Sequence, residues 1–235
     1  MNVACFSWCR QTLLKAYATV VGLLLVTIAC AATAQPLADF FRAAALDDVA
    51  TVRSAMLRGV SANARDSAGT PALVVAAREQ SWRVVRALAE LKGTDLDATN
   101  EQGASALMYA ALHGELPTVR FLVGRGAQVN RPGWTALHFA SANGQVEVVK
   151  YLLEESAYID AESPNGTTPL MMAVRQGQPT VAQLLVAEGA DPTPRNQSGR
   201  TAADYARGNG ETELAAWLTR QAAEFTRRYR TPAPR

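Results

Sequence analysis

Two histidines, His113 and His138, are the side chains best suited to acid–base catalysis or metal binding near neutral pH. They stand 25 residues apart, which is not the spacing of a metal-ligand pair. Adjacent carboxylates such as Glu154 and Glu155 point in different directions on a helix, so they indicate a solvated surface and not an acid–base pair. The sequence contains no nucleophile elbow, phosphate loop or metal-ligand cluster. We therefore predict a non-enzymatic protein without a metal or a cofactor.

Glycines open five similar segments, GTPALVVAA, GASALMYAA, GWTALHFAS, GTTPLMMAV and GRTAADYAR. The segments begin at Gly69, Gly103, Gly133, Gly166 and Gly199, at intervals of 34, 30, 33 and 33 residues. Self-similarity at a nearly fixed period is typical of stacked repeats. Since one glycine recurs in each repeat, these residues indicate backbone turns and not a phosphate-binding loop.

Each repeat contains signals for two short helices. Ser105, Thr135, Thr168 and Thr201 stand where a hydroxyl caps a first helix, and Thr70 offers a similar cap one residue earlier in its segment. A glycine suited to a left-handed C-terminal cap then ends the first helix in four repeats, at Gly114, Gly144, Gly177 and Gly210. Neither helix is long enough to bury a face alone, so the helices must stack.

The shared pattern G-x-[TS]-[AP]-L-x-x-A-[AS], followed by a glycine and an amphipathic stretch, resembles the ankyrin repeat. The fullest matches are TALHFAS with EVVKYLL, and TTPLMMAV with LLVAEGADP. The resemblance extends over about residues 37–218. It implies an all-α solenoid of helix-turn-helix units joined by β-hairpin-like finger loops.

We divide the repeats into six units, with weak first and last units because terminal faces must meet water. Their bounds are 37–66, 67–100, 101–130, 131–163, 164–196 and 197–225. The finger preceding Gly133 is three residues shorter than the one preceding Gly166. This difference predicts a clipped hairpin and a notch beside Trp134.

The first 34 residues have the features of an export signal. Arg10 and Lys15 precede an apolar run over residues 16–31, and Ala32-Thr33-Ala34 matches a small-x-small cleavage site. We expect cleavage near Ala34 and a periplasmic or secreted bacterial protein. An uncleaved membrane anchor and a lipid anchor on Cys30 are the alternatives. All three cysteines lie in this segment, so redox state should not affect the mature chain.

Charge is unevenly distributed along the mature chain. Residues 35–219 hold 16 Lys and Arg against 20 Asp and Glu, a net charge of −4, which argues against a nucleic-acid partner. The last residues are basic, and we predict a flexible tail over 226–235. This tail is either a solvated extension of the last helix or a contact to an anionic membrane or an acidic partner through Arg227, Arg228 and Arg230.

The resemblance also assigns roles to individual residues. It implies that His138 ties the turn to its helix, with Thr135, Thr168, Gly133 and Gly166 also structural. Partner contacts are implied on the concave face and fingers, at Arg78, Leu112, His113, Arg131, Asn143, Arg175, Gln176 and Arg200.

Aromatic side chains fall into two groups. Tyr109, Phe139 and Tyr205, with Met172 and Val75 at the same repeat position, are predicted to be core residues. Trp134 stands between a turn glycine and a helix cap. It is predicted either to face the partner on the concave side or to pack over the shortened loop.

The resemblance implies a protein–protein interaction scaffold, monomeric alone, whose concave face binds a partner that the sequence does not name. For an exported chain this means an adaptor in the bacterial periplasm. The alternatives are a secreted effector acting on a host or competitor protein and a membrane-surface binder acting through the basic tail.

Overall fold

Six pairs of antiparallel helices follow one another along the described part of the chain. The computed structural model describes residues 36–229, and the predicted export signal at 1–34 lies outside that range. The helices are α1 (36–45), α2 (Val49–Leu57), α3 (Ala72–Arg78), α4 (Trp82–Ala89), α5 (Ala106–Leu112), α6 (Leu116–Gly124), α7 (Ala136–Ala142), α8 (Val146–Glu154), α9 (Pro169–Arg175), α10 (Pro179–Ala187), α11 (Ala202–Gly208) and α12 (Thr212–Tyr229).

Hydroxyl side chains start most of the first helices, as predicted. The side chains of Ser105, Thr168 and Thr201 accept hydrogen bonds from the backbone N–H three residues later, at 3.4, 3.3 and 3.2 Å. The prediction for Thr70 was wrong, because α3 begins at Ala72 with Pro71 at the cap position and no side-chain cap. The buried Leu73 keeps the register of the other repeats, and this register determines where the helix begins.

The turns between paired helices require a left-handed residue. Gly114, Gly144, Gly177 and Gly210 have φ between 68° and 80°, which confirms the predicted C-terminal caps. In the second pair the same turn uses Gln80 at φ 60°. Because a side chain in this conformation is strained, glycine is the usual solution.

First helices and second helices form two layers. Neighbouring first helices, from α3 to α11, pack against each other more extensively than neighbouring second helices do. The stack therefore curves toward the first helices, and we call their outward side the concave face. Alanines such as Ala110, Ala140 and Ala173 are fully buried between first helices and allow their close approach.

Leucines at equivalent positions fill the space between the layers. Leu107, Leu137 and Leu170 from the first helices and Leu122 and Leu152 from the second are at most 2% exposed. Burying one such side chain stabilises the fold by about 2 kcal/mol. The core is therefore continuous along the stack although no single helix pair could form one.

Four fingers have the same hairpin geometry. In each, a backbone N–H donates across the turn and the turn glycine N–H donates back, as at Asn196 to Arg200 (3.1 Å) and Gly199 to Asn196 (2.8 Å). Within the described residues, no such pair of bonds closes the turn at Gly133. The clipped finger is thus confirmed. A Cβ added to Gly133 would lie 3.6 Å from Pro164, so the next finger approaches this turn closely. The predicted notch beside Trp134 stays a prediction.

Polar side chains join the loops that follow the second helices. Asn63 and Asn130 each accept a backbone N–H from the next unit and donate to one of its carbonyls. Asp97 and Asp160 occupy the same position and accept the equivalent N–H, at 2.9 Å from Gln128 and 3.0 Å from Asp191. This series of contacts fixes the loops of successive units to each other.

The last helix is twice as long as its counterparts. It continues through Tyr229, so residues 226–229 of the segment predicted as a flexible tail are helical, and Arg230 onward lies outside the described range. Within residues 36–229 no helix is long and apolar enough to cross a membrane.

Candidate concave interface

The concave face is built from one repeated set of positions. The middle of each first helix and the last residues before the inter-helix turn lie on it. The residue after the turn glycine is accessible at Trp134 and Arg200 but buried at Thr70, Ala104 and Thr167. Since every unit supplies the same positions, neighbouring units extend one surface along the stack. What that surface binds then depends on the side chains that occupy these positions.

A row of large side chains runs along the middle of the first helices. Tyr109, Phe139, Met172 and Tyr205 are half-buried, and only Val75 of this set is buried. The prediction that these positions belong to the core is confirmed for Val75 and holds in part for Tyr109 and Tyr205, which pack against the core without being buried. Within the described residues no further layer packs above the first helices, so the outer sides of these side chains remain open.

Two of these aromatic residues are held by the preceding finger. The side-chain amide of Asn100 donates to the Tyr109 hydroxyl at 3.2 Å, and Asn196 donates to the Tyr205 hydroxyl at 2.7 Å. The same asparagines cap their finger turns through Oδ1. Sequence reasoning missed this link, although the constant separation of nine residues between Asn and Tyr was a usable signal.

Trp134 lies at the clipped finger and packs against its own helix. Its ring meets His138 edge-on at a centroid distance of 5.3 Å and Phe139 at 6.4 Å. The residue remains half-buried, so part of the indole faces solvent. The ring thus packs on its own helix, and its contact with a partner stays a prediction.

Three arginines on this face are held by groups without negative charge. A guanidinium nitrogen of Arg131 lies 3.5 Å from the Asp97 carbonyl oxygen, and one of Arg175 donates to the Met172 sulfur at 3.0 Å. The Arg200 guanidinium lies over the Tyr205 ring, 5.7 Å from its centroid. Arg78 differs, since it pairs with Glu79 at 3.0 Å.

The remaining predicted contact residues surround the inter-helix turns. His113 is exposed, as predicted, and its ring lies 6.0 Å from that of Trp82. The Asn143 side chain is exposed but donates to the Leu112 carbonyl at 2.8 Å, so it links two units. Gln176 is exposed.

His138 is fully buried and has a structural position. Its Nδ1 accepts from the Thr135 N–H at 3.2 Å and lies 2.9 Å from the Thr135 hydroxyl. The proton must therefore reside on Nε2, which donates to the Thr167 carbonyl at 2.9 Å. Burial lowers the pKa of His138 to about 4, although the hydrogen bonds to the Thr167 and Ala161 carbonyls oppose this shift. The imidazole is thus neutral at neutral pH and inaccessible to a substrate.

Groups suited to chemistry do not converge in the described part of the chain. Within residues 36–229 no three His, Cys, Asp or Glu side chains are placed to hold a metal ion. The concave face offers hydrogen-bond donors, aromatic rings and positive charge. These are the components of a binding surface.

The geometry defines a stacked-repeat binding scaffold. A family model described as ankyrin repeats (3 copies) matches residues 40–132, 91–163, 128–196 and 159–229, which together span 40–229. The chain belongs to the ankyrin-repeat family, whose repeats are in general protein–protein interaction modules.

A short stretch is also similar to a spider protein. The chain is 37% identical over 62 residues to alpha-latroinsectotoxin-Lt1a of Latrodectus tredecimguttatus. The match covers 26% of this chain and 4% of the toxin.

Proposed function

We propose that this chain is an exported, non-enzymatic adaptor of the bacterial periplasm that binds a protein partner on its concave face. The observation that supports this proposal is the row of partly accessible aromatic and arginine side chains on the first helices. Tyr, Trp and Arg are the residue types that dominate interface energetics. The adaptor is a monomer until it meets its partner, since nothing in its role requires a second copy.

Site-specific photo-crosslinking in the producing organism tests where the partner binds. A crosslinking residue replaces exposed His113 or Gln176 on the concave face, or exposed Arg83 or Gln183 on the second helices as controls. We expect one protein to be captured from both concave positions and from neither control. Capture from the control positions alone, or from no position, would contradict the proposal.

Matched variants test whether the predicted contacts carry the binding energy. Trp134→Ala, Arg175→Ala and Arg200→Ala are combined in one chain, and Trp217→Ala, Arg53→Ala and Arg220→Ala in a control chain with the same residue types removed. Recovery of the crosslinked protein by affinity capture should fall at least about tenfold for the first chain only. An equal fall for both chains would indicate loss of folding, which far-UV circular dichroism would show.

Export is the second part of the proposal and rests on the pattern of residues 1–34. Osmotic shock should release the chain, and sequencing of its N-terminus should begin near Gln35. Recovery from the culture medium would favour the secreted-effector alternative. Recovery only from membranes would favour an uncleaved or Cys30-lipidated anchor.

A membrane-surface role is a second candidate because of the end of α12. Arg227 and Arg228 are exposed there, and the Phe225 and Tyr229 rings lie 4.7 Å apart. Basic and aromatic side chains together suit an anionic lipid surface. Truncation after Thr219 should abolish sedimentation with phosphatidylglycerol vesicles if this role is real, and unchanged sedimentation would reject it.

A further inference from the structure

Positive charge on the concave face is concentrated in the last three units. Arg131, Arg175 and Arg200 supply one guanidinium each to units four, five and six. Their neighbours within the protein are a carbonyl, a thioether and an aromatic ring. These groups orient a guanidinium without neutralising it.

Two carboxylates lie near this face: Asp204 on α11, which is paired with Arg195 and Arg207, and half-buried Glu211 beside Gly177. In the described residues, no ion pair joins a carboxylate to any of these three arginines, whereas Arg78, Arg195 and Arg207 each have one. Glu101 and Glu162 are exposed on neighbouring fingers, outside ion-pair distance of the three. The other exposed acidic residues of this half belong to the second helices and the loops that follow them, at Glu147, Glu154, Glu155, Glu188, Glu213 and Glu224. The face is thus locally positive on a body of net negative charge.

Apolar side chains lie between the arginines. Trp134 and Phe139 contact each other in unit four, and Met172 and Tyr205 follow in units five and six. All four are half-buried. A ligand on this surface therefore meets guanidinium groups and apolar surface in alternation.

The three arginines occupy different positions in their repeats, since Arg131 lies two residues before its turn glycine, Arg200 one residue after its own, and Arg175 at the end of α9. Packed helices lie about 8–10 Å apart, and an extended chain advances about 3.3 Å per residue. An extended segment of about six or seven residues can therefore follow the face across units four to six without a fold of its own.

We propose that the concave face of units four to six binds an extended protein segment that carries several acidic residues with apolar residues between them. The proposal rests on the proposed function and adds the chemistry of the partner. Charge complementarity with Arg131, Arg175 and Arg200 selects the acidic residues, and the aromatic row selects the apolar ones. A nucleic acid fits less well, because its continuous phosphate charge would also face Glu101 and Glu162.

Selection from a random 12-residue peptide library tests the proposal with the full chain as bait. A second bait carries Arg131→Gln, Arg175→Gln and Arg200→Gln, and a matched control carries Arg53→Gln, Arg83→Gln and Arg220→Gln. We expect acidic-apolar peptides to be enriched on the unaltered chain and on the control. The dissociation constant of the best peptide should rise at least about tenfold for the concave variant and also with added salt.

Other results would overturn the proposal. Enrichment of neutral or basic peptides, equal binding to both Gln variants, or no enriched peptide would each do so. Tighter binding of a 12-nucleotide oligothymidylate or of phosphatidylglycerol vesicles to the same three arginines would assign the surface to another anion. The crosslinking experiment remains independent: a partner captured at His113 and Gln176 that contacts the face through neutral residues would leave the proposed function intact and reject only the acidic segment.

Discussion

Helix pair α7–α8 and the following pair α9–α10 have the same length and the same leucine register, yet they are held in place differently. The α9 unit has a closed finger hairpin, with Ser163 and Thr167 joined by backbone hydrogen bonding at 3.1 Å. The α7 unit lacks that hairpin and contains the buried His138, where α9 has Met171. His138 reaches across to the Thr167 carbonyl of the next finger.

The difference teaches how a shortened repeat stays in the stack. A hairpin closes a finger through backbone hydrogen bonds between residues close in sequence, whereas His138 positions its own helix start through Thr135 and the next finger through Thr167. A buried polar bridge of this kind stabilises only while every group is satisfied. The α7 unit should therefore be the more sensitive of the two to single changes.

Removing the imidazole should have the largest effect. His138→Ala leaves the Thr135 N–H and the Thr167 carbonyl without partners and creates a cavity, so we expect a loss of about 4 kcal/mol in the free energy of unfolding. Met171→Ala at the equivalent position removes only packing and should cost about 2–3 kcal/mol. Urea unfolding followed by far-UV circular dichroism measures both. Equal costs would show that the hydrogen bonds of His138 add nothing to its packing.

Acid should affect the same bridge. The pKa of His138 falls from 6.5 unfolded to about 4 folded because burial disfavours the charged ring. The unfolded chain thus binds the extra proton, and the contribution of about 3 kcal/mol present above pH 6.5 is lost as the pH falls toward 4. His138→Met should remove this dependence, so the difference between the two unfolding curves from pH 7 to pH 4 isolates it. Parallel pH profiles for the two proteins would contradict the assignment.

The regular part of this architecture was predictable from sequence because each signal recurs. Leu107, Leu137 and Leu170 set the same helix register in one repeat after another. The clipped finger followed from a simple difference in loop length. The cap predicted at Thr70 was wrong because a threonine is a common cap residue wherever it stands before a helix. The register of the buried leucines instead places the helix start at Ala72. Local patterns predict well where tertiary packing repeats them.

The candidate site was less predictable because it depends on contacts between units. An apolar residue at the Tyr109 position gives the same signal whether a further layer covers it or not, and here none does. Likewise, Arg78 and Arg175 are alike in sequence position, but only Arg78 has a carboxylate partner. Which charges remain unpaired is a property of the assembled stack.

A smaller effect is expected where the α8 loop meets the α10 loop. Asp160 accepts the Asp191 N–H, and burial together with the neighbouring Asp191 charge raises the pKa of Asp160 to about 6. At the same position Asn130 both accepts and donates. Asp160→Asn should therefore stabilise by about 1 kcal/mol at pH 8, through a donor aimed at the next loop and removal of a desolvated charge.

The pH dependence of this variant provides its control. Because the folded pKa of Asp160 is raised, its protonated form is favoured in the fold, and the penalty of the charged form disappears as pH falls from about 6 toward 3.8. The advantage of Asp160→Asn in urea unfolding should thus shrink at pH 4. An advantage that grows on acidification would show that the raised pKa has been misattributed.

The smallest change in stability is expected at Ser156, the left-handed residue that follows α8. Ser156 has φ 63°, whereas Gly189 at the equivalent position after α10 has φ 98°. A left-handed non-glycine residue destabilises the fold by about 1–2 kcal/mol. Glycine avoids this strain but loses about 0.5–1 kcal/mol more in conformational entropy on folding. Ser156→Gly should therefore raise the free energy of unfolding by about 0.5 kcal/mol.

Gly189→Ala is the reciprocal test: nothing lies within 4 Å of the added Cβ, so any loss of stability must come from backbone strain. If Ser156→Gly destabilises while Gly189→Ala is neutral, the two loops do not share the conformational requirement that their equivalence implies.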